Sequence, residues 1–269
     1  MTDSKAEKIR LDVLLTERGL IESRERARAV IMSGNVFVSG NKAEKPGMPV
    51  RADSLIDIRS FPEFVSRGGQ KLDKALKSFG VSPEGKVCMD CGASTGGFTD
   101  CLLKNGARLV YAIDVGYGQL AWSLRNDPRV VTMERTNIRY VTADMFEIQP
   151  EIAVIDVSFI SLSLVLPVVG GLLAADGQAL CLIKPQFEAG RSQVGRKGVV
   201  RGAQTHEAVL DGFIRYSIGS GFSVKGLTHS PVRGPEGNVE FLGWLGSTGE
   251  SADIDTGAVV AEAHRSLAP

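Results

Sequence analysis

Lys184 closes an apolar run, Ala179-Leu180-Cys181-Leu182-Ile183, and is followed by Pro185. Proline has no N–H to give to a ladder, so a regular central strand stops there. A lysine at that point either snorkels to solvent or is placed for chemistry. Asp156 closes another apolar run, Ile152-Ala153-Val154-Ile155, and could pair with it. Glu240 follows the turn-rich Gly234-Pro235-Glu236-Gly237-Asn238 and falls in the last expected strand. Lys71 precedes the sheet and could pack back over the same edge. The set has two ammoniums and two carboxylates, the kinds of group that hold or move protons.

A second stretch could bind a cofactor. Asp90-Cys91-Gly92-Ala93-Ser94-Thr95-Gly96-Gly97-Phe98-Thr99 lies between the strand-like Val87-Cys88-Met89 and a helix-forming segment from Phe98 to Lys104. Small residues let a backbone approach a ligand, and glycine permits positive φ. Free N–H groups at a helix start favour a polar or anionic group. A plain strand-to-helix turn is the other reading. Asp114 ends the next apolar run, Leu109 to Ile113, and precedes Val115. An acidic residue roughly 20 positions after a glycine loop suits a ribose diol. No Lys-Ser/Thr pair follows the glycines, so this is not a Walker A loop. Asp90, read as part of the loop, would repel a pyrophosphate and could accept from an ammonium. That favours S-adenosylmethionine over NAD.

The elements that must position these residues alternate. Val130 to Met133 is a third strand leading to Asn137, and the runs ending at Asp156 and Lys184 are the fourth and fifth. A long helix is predicted from about Thr205 to Ile218, then strands at Phe222 to Thr228 and Val239 to Leu245, then a short helix from Val259 to Leu267. Strands alternating with helices mean an α/β, Rossmann-like, mainly parallel sheet with ligands at strand C-terminal ends. Asp90, Asp114, Asp156 and Lys184 are all expected there.

Residues 1–60 read as a separate small α+β unit. Ile9, Leu11, Leu14 and Leu15 have helical spacing, ended by Gly19. Ser23 is a suitable N-cap for a helix from Arg24 to Met32, whose first turns carry Arg24, Arg26 and Arg28. Strands follow at Val36 to Val38 and Leu55 to Ile58. Displayed arginines could clamp the phosphates of structured RNA, or simply face solvent beside Glu22 and Glu25. Residues 61–66 are a linker, and 67–269 form the larger domain.

With 269 residues there is room for both units. The 31 Lys and Arg balance 31 Asp and Glu, so total charge neither announces nor excludes a nucleic-acid partner. Cys88 and Cys91 form a lone CxxC, with Cys101 and Cys181 also in apolar context. Buried thiols of a reducing cytosol are expected, and no metal. The polar N-terminus suggests no secretory signal and a cytoplasmic protein. The apolar stretch from Leu162 to Ala175 is broken by Pro167 and Gly170-Gly171. It falls short of the ~20 residues of a membrane helix.

Two resemblances run through these residues. Leu11-Asp12-Val13-Leu14-Leu15, Gly19-Leu20, Ser23-Arg24, Ala27, Ile31, Gly34 to Gly40 and Lys45-Pro46 resemble the S4 RNA-binding domain. That implies RNA contact through Ser23, Arg24, Arg26, Arg28 and the following loop, with Arg67, at the start of the second domain, added to the set. Ser66 to Leu72, Asp90 to Thr99, Asp114 to Leu124, Asp156 to Leu162, Lys184 to Glu188 and Gly237 to Glu240 resemble the FtsJ-type ribose methyltransferases. In this order, joined to an S4 domain, they are similar to the TlyA family. The resemblance implies S-adenosylmethionine-dependent 2′-O-methylation of cytidine in 16S or 23S ribosomal RNA, and hence ribosomal subunits as partners. It implies a catalytic tetrad of Lys71, Asp156, Lys184 and Glu240. It also implies a cofactor site of Asp90, Gly92, Ala93, Ser94, Thr95, Gly96, Gly97, Phe98, Asp114, Val115, Asn137 and Asp156, with Asp90 at the methionine end and Asn137 at the adenine. Relatives with a C-terminal extension like 256–269 tend to act on both subunits. Lys184 would either take the hydroxyl proton or, staying charged, stabilise the alkoxide. The family also carries a haemolysin label, so a membrane-lytic protein is one alternative, and an inactive S4-type assembly factor is another.

Overall fold

A computed structural model describes residues 8–61, 63–195 and 197–267. The first seven residues of the expected S4 unit, Pro62 of the expected linker, Arg196 and the last two residues of the expected C-terminal extension lie outside the described residues. Contacts divide the chain into two compact units that meet in sequence at Arg67 and Gly68.

The first unit contains β1 (Lys8–Arg10), α1 (Leu11–Glu17), α2 (Arg24–Met32), β2 (Val36–Val38), β3 (Asn41–Lys42), β4 (Pro49–Arg51) and β5 (Ile56–Ile58). Ser23 Oγ caps α2 by accepting from Arg26 N at 3.2 Å. The apolar faces of α1 and α2 (Leu11, Leu14, Leu15, Ala27, Val30, Ile31) close one core with Val36 and Val50. Ile9 is not helical, as its spacing had suggested. It lies in β1 opposite Val50 of β4, because pairing to a distant strand outweighs local periodicity.

The second unit begins with α3 (Gly68–Phe79), then β6 (Val87–Cys91), α4 (Gly97–Lys104), β7 (Leu109–Ile113), α5 (Trp122–Arg125) and β8 (Val130–Met133). It continues with β9 (Ile152–Ile155), α6 (Leu166–Leu172), β10 (Gln178–Ile183), α7 (Pro185–Glu188), α8 (Ala203–Gly219), β11 (Ser223–His229), β12 (Phe241–Gly246) and α9 (Thr256–Ser266). One seven-stranded sheet has the order β11-β12-β10-β9-β6-β7-β8. Pairs among β6 to β10 are parallel, and β12 runs antiparallel to both β10 and β11. Every residue of β6 and β9 is buried, which explains the unbroken apolar run of β9 and makes Asp90 the one charged residue in β6. Strand order reverses between β6 and β9, and a ligand crevice belongs at the carboxyl ends of these two strands. All four cysteines are buried and free, and burial pushes the Cys88 thiol up to about 12.

Candidate active site

Asp156 and Lys184 are the first residues past β9 and β10. Lys184 Nζ meets Asp156 Oδ1 at 2.6 Å as an ion pair, while its directed hydrogen bonds go to the Val157 carbonyl at 3.0 Å and Ser158 Oγ at 2.9 Å. Glu240 is not in the last strand but one residue before it. The ladder pairs Ile183 with Phe241, so Glu240 sits beside Lys184 at the same sheet edge. Lys71, buried on α3, reaches Glu240 Oε2 at 2.6 Å. The other oxygen of fully buried Glu240 has no hydrogen-bond partner. Gly234 makes room for that carboxylate: a Cβ there would stand 2.1 Å from Glu240 Oε1. The four residues expected to share an edge are thus brought together as two ion pairs.

The glycine turn lies alongside. The β6–β9 ladder pairs Cys91 with Ile155, which sets Gly92 against Asp156. Gly92 has φ +93°, and a Cβ on it would lie 2.6 Å from the Asp156 carbonyl oxygen. The turn's N–H groups are not the open cradle expected. Gly92 and Ala93 N–H both donate to the Ile113 carbonyl, and Ser94 N–H donates to Asp114 Oδ2 at 2.8 Å. Asp114 Oδ1 accepts from Gly116 N–H at 2.6 Å. Two backbone donors therefore fix the carboxylate, and each oxygen keeps a further lone pair for a diol.

Gly96 also differs from the expectation of close ligand approach. A Cβ there would strike Leu124 and Leu120 at 2.3 and 2.8 Å, so this glycine serves packing. Ala93, Gly96, Gly97 and Phe98 are buried within the protein, whereas Ser94, Thr95 and Val115 are exposed. Asn137 is half-buried and caps a short turn by accepting from Arg139 N–H at 3.1 Å.

Asp90 lies within β6 and not in the turn. It is fully buried, and its Oδ2 accepts from Thr99 Oγ1 at 2.7 Å. Its Oδ1 has no partner. Burial pushes its carboxyl up to about 7; Thr99 opposes this and nearby Asp156 adds to it. A buried acceptor without a donor, the fixed Asp114 carboxylate and the crevice between β6 and β9 together fit a cofactor bearing an ammonium and a ribose.

Sequence reasoning missed one exposed feature of this edge. Phe159 has φ +64° and is 91 % exposed. Its ring centroid lies 5.1 Å from that of Phe187, whose ring is 5.9 Å from Lys184 Nζ. The sequence placed both aromatics just past the expected strand ends. Nothing local signalled the strained backbone that turns one outward.

In the first unit, Arg24 and Arg28 both lie on Asp12, Arg26 pairs with Glu22 at 3.1 Å, and Ser23 caps α2. Arg67 is exposed at the end of this unit. Arg10, absent from the expected set, joins Asp12. Among the described residues, no group of three or more His, Cys, Asp or Glu is placed to hold a metal ion. No helix among them is long and apolar enough to cross a membrane.

The FtsJ-like methyltransferase family model matches residues 64–247, and the S4 domain model matches residues 9–56. Fold, site and family model together define an S-adenosylmethionine-dependent methyltransferase carrying an S4 domain. The chain is 45% identical over 242 residues to a Mycobacterium tuberculosis protein named 16S/23S rRNA (cytidine-2′-O)-methyltransferase TlyA, covering 89% of this chain and 90% of that one. It is 43% identical to Hemolysin A of Brachyspira hyodysenteriae, over 87% of this chain and 98% of that one. A solved structure from Streptococcus thermophilus that carries the hemolysin name superposes with a TM-score of 0.78 at 46% identity, over 97% of this chain and 98% of that one. The chain belongs to the FtsJ-like methyltransferase family, in the TlyA branch that joins it to an S4 domain.

Proposed function

We propose that this chain methylates the ribose 2′-hydroxyl of cytidine in 16S or 23S ribosomal RNA, working in the cytoplasm on ribosomal subunits. The Lys184–Asp156 pair at the crevice where strand order reverses carries the reading most directly. S-adenosylmethionine, when bound, supplies an electrophilic methyl group. Asp114 would hold its ribose, Asp90 Oδ1 would accept from its ammonium, and the turn from Gly92 to Thr95 would shape the pocket.

The chain's own work is to orient the hydroxyl and stabilise the charge it develops. An ammonium has three donors. Lys184 Nζ donates to the Val157 carbonyl and Ser158 Oγ and is ion-paired with Asp156 Oδ1 at 2.6 Å. That arrangement supports a charged Lys184, which stabilises the forming alkoxide, over a neutral one that takes its proton. The proton then leaves to solvent or to Asp156. Lys71, from α3, and Glu240, just before β12, support this edge as a second ion pair. Phe159 offers an open aromatic face for the target base, and such stacking contributes about 1–3 kcal/mol per base. The S4 unit would contact RNA phosphates through its arginines and hold the substrate.

Purified protein incubated with labelled S-adenosylmethionine and ribosomal subunits should place the label in 2′-O-methylcytidine after digestion to nucleosides. Label on a base, or no transfer to either subunit, would contradict the reading.

A further inference from the structure

Asp12 is fully buried in α1, and three arginines from two other elements converge on it. Arg10, in β1, makes a two-pronged contact: Nε to Oδ1 and Nη2 to Oδ2, both at 3.0 Å. Arg24 Nη2 and Arg28 Nε, one turn apart on α2, reach Oδ2 at 3.3 and 3.2 Å. The Arg10 guanidinium, chiefly, holds the Asp12 carboxyl well below the usual carboxylate range, with Arg28 and Arg24 adding to it against burial. Asp12 is therefore charged wherever the protein is folded near neutral pH.

This is not a balanced structural ion pair. Three positive charges meet one negative charge, and the arginine side chains stay 50, 53 and 56 % exposed while Asp12 is sealed. Each guanidinium has five N–H donors. Only one or two of each are spent on Asp12, and the half-exposed remainder keeps others for a ligand. All three groups touch one carboxylate, so they are confined to a patch the size of one or two phosphates. Long cationic side chains lose rotamer freedom when they bind, and holding them in place beforehand removes that cost.

We propose that Asp12 is a positioning residue for RNA: it gathers Arg10, Arg24 and Arg28 into one preformed receptor for the phosphate backbone of a structured RNA. This rests on the reading of the first unit as RNA-binding. It adds Arg10 to the contact set and gives an acidic residue a favourable part in binding a polyanion.

The test turns on a sign. Asp12→Asn removes a negative charge from a basic patch. On charge alone, the full chain should bind isolated ribosomal subunits more tightly and with steeper salt dependence. The proposal expects the opposite. Affinity falls about ten-fold as preorganisation is lost, and the slope of log K against log salt becomes shallower by about 0.9 for one lost phosphate contact. Arg10→Lys keeps every charge but cannot reproduce the two-pronged contact, and should also weaken binding several-fold, roughly. It decides the matter if Asp12→Asn fails to fold. Folded variants that bind as tightly as the parent, or more tightly, would overturn the role of Asp12. A double variant, Arg24→Gln with Arg28→Gln, separates the two levels. If it leaves subunit binding unchanged, the phosphate reading of the first unit fails. If it weakens binding while the Asp12 and Arg10 variants do not, only the positioning role fails.

Discussion

Lys184 and Lys71 are both buried against a carboxylate, but only Lys184 stands past a parallel strand with a hydroxyl and a carbonyl as further partners. Its removal should therefore cost chemistry more than binding. Lys184→Ala should lower single-turnover methyl transfer by roughly 100- to 10,000-fold with the affinity for S-adenosylmethionine little changed. Lys184→Arg should retain a measurable part of the rate, because arginine stays charged and can stabilise an alkoxide but cannot accept the proton. Equal loss in both variants would instead point to Lys184 as the base. Phe159→Ala should leave cofactor affinity intact and lower kcat/KM for ribosomal RNA by roughly 5- to 150-fold, the equivalent of one stacked base. Rates that match the parent would remove Phe159 from substrate recognition.

Asp90 makes a prediction about pH. Its folded carboxyl titrates near 7 because it is buried, against about 3.9 for an unperturbed aspartate. Across that window the folded state holds a proton that the unfolded state has lost, so the contribution of Asp90 to stability falls as pH rises. Binding of a ligand ammonium has the other sign, because only the carboxylate accepts a charged donor well. The affinity for S-adenosylmethionine should rise from pH 6 to pH 8, with a proton released that calorimetry detects in buffers of different ionisation heat. Asp90→Asn should bind more weakly and lose that dependence. A parent affinity that is flat over this range would sink the assignment of Asp90 to the methionine end.

At the level of elements, the turns carry as much of the site as the strands do. The segment before β12 holds Glu240 in a space that Gly234 leaves open, and Asn238 anchors that segment by accepting from Val200 N–H and donating to the Gly198 carbonyl. Gly234→Ala should push Glu240 aside and leave Lys71 buried without its partner, a kind of defect that costs about 3–5 kcal/mol when complete. A lower melting temperature and a slower methyl transfer, with cofactor affinity retained, are the expected outcome. Gly171→Ala, where a Cβ meets nothing within 4 Å, is the control. The sequence showed that the glycine stretch makes a turn, since small residues between an apolar run and a helical segment have few other uses. It did not show which glycine meets what. Gly92 faces the Asp156 backbone and Gly96 faces leucines, and both partners lie far along the chain or across it.

For the molecule as a whole, local patterns carried the α/β class. Buried parallel strands leave continuous apolar runs, and those runs ended at Asp114, Asp156 and Lys184. The insertion of β12 between β10 and β11 was not legible, because strand order is a property of packing and not of any window of sequence. The short strands β1, β3 and β4 were also missed: β3 has two residues, and Ile9 and Val50 show themselves as strand only by pairing with each other. The Asp12 cluster was hidden as well. Residue types left the arginines of α2 open between a phosphate clamp and a solvated face, and nothing in them pointed to a carboxylate 12 and 16 positions away.

The central claim is that this chain methylates cytidine ribose through the edge that holds Lys184 and Asp156. Mass mapping of ribosomal RNA from cells lacking the protein, complemented with the parent or with Lys184→Ala, tests it most directly. 2′-O-methylcytidine should disappear in the deletion, return with the parent and stay absent with Lys184→Ala at equal protein level. Unchanged cytidine methylation in the deletion, or full restoration by Lys184→Ala, would contradict it.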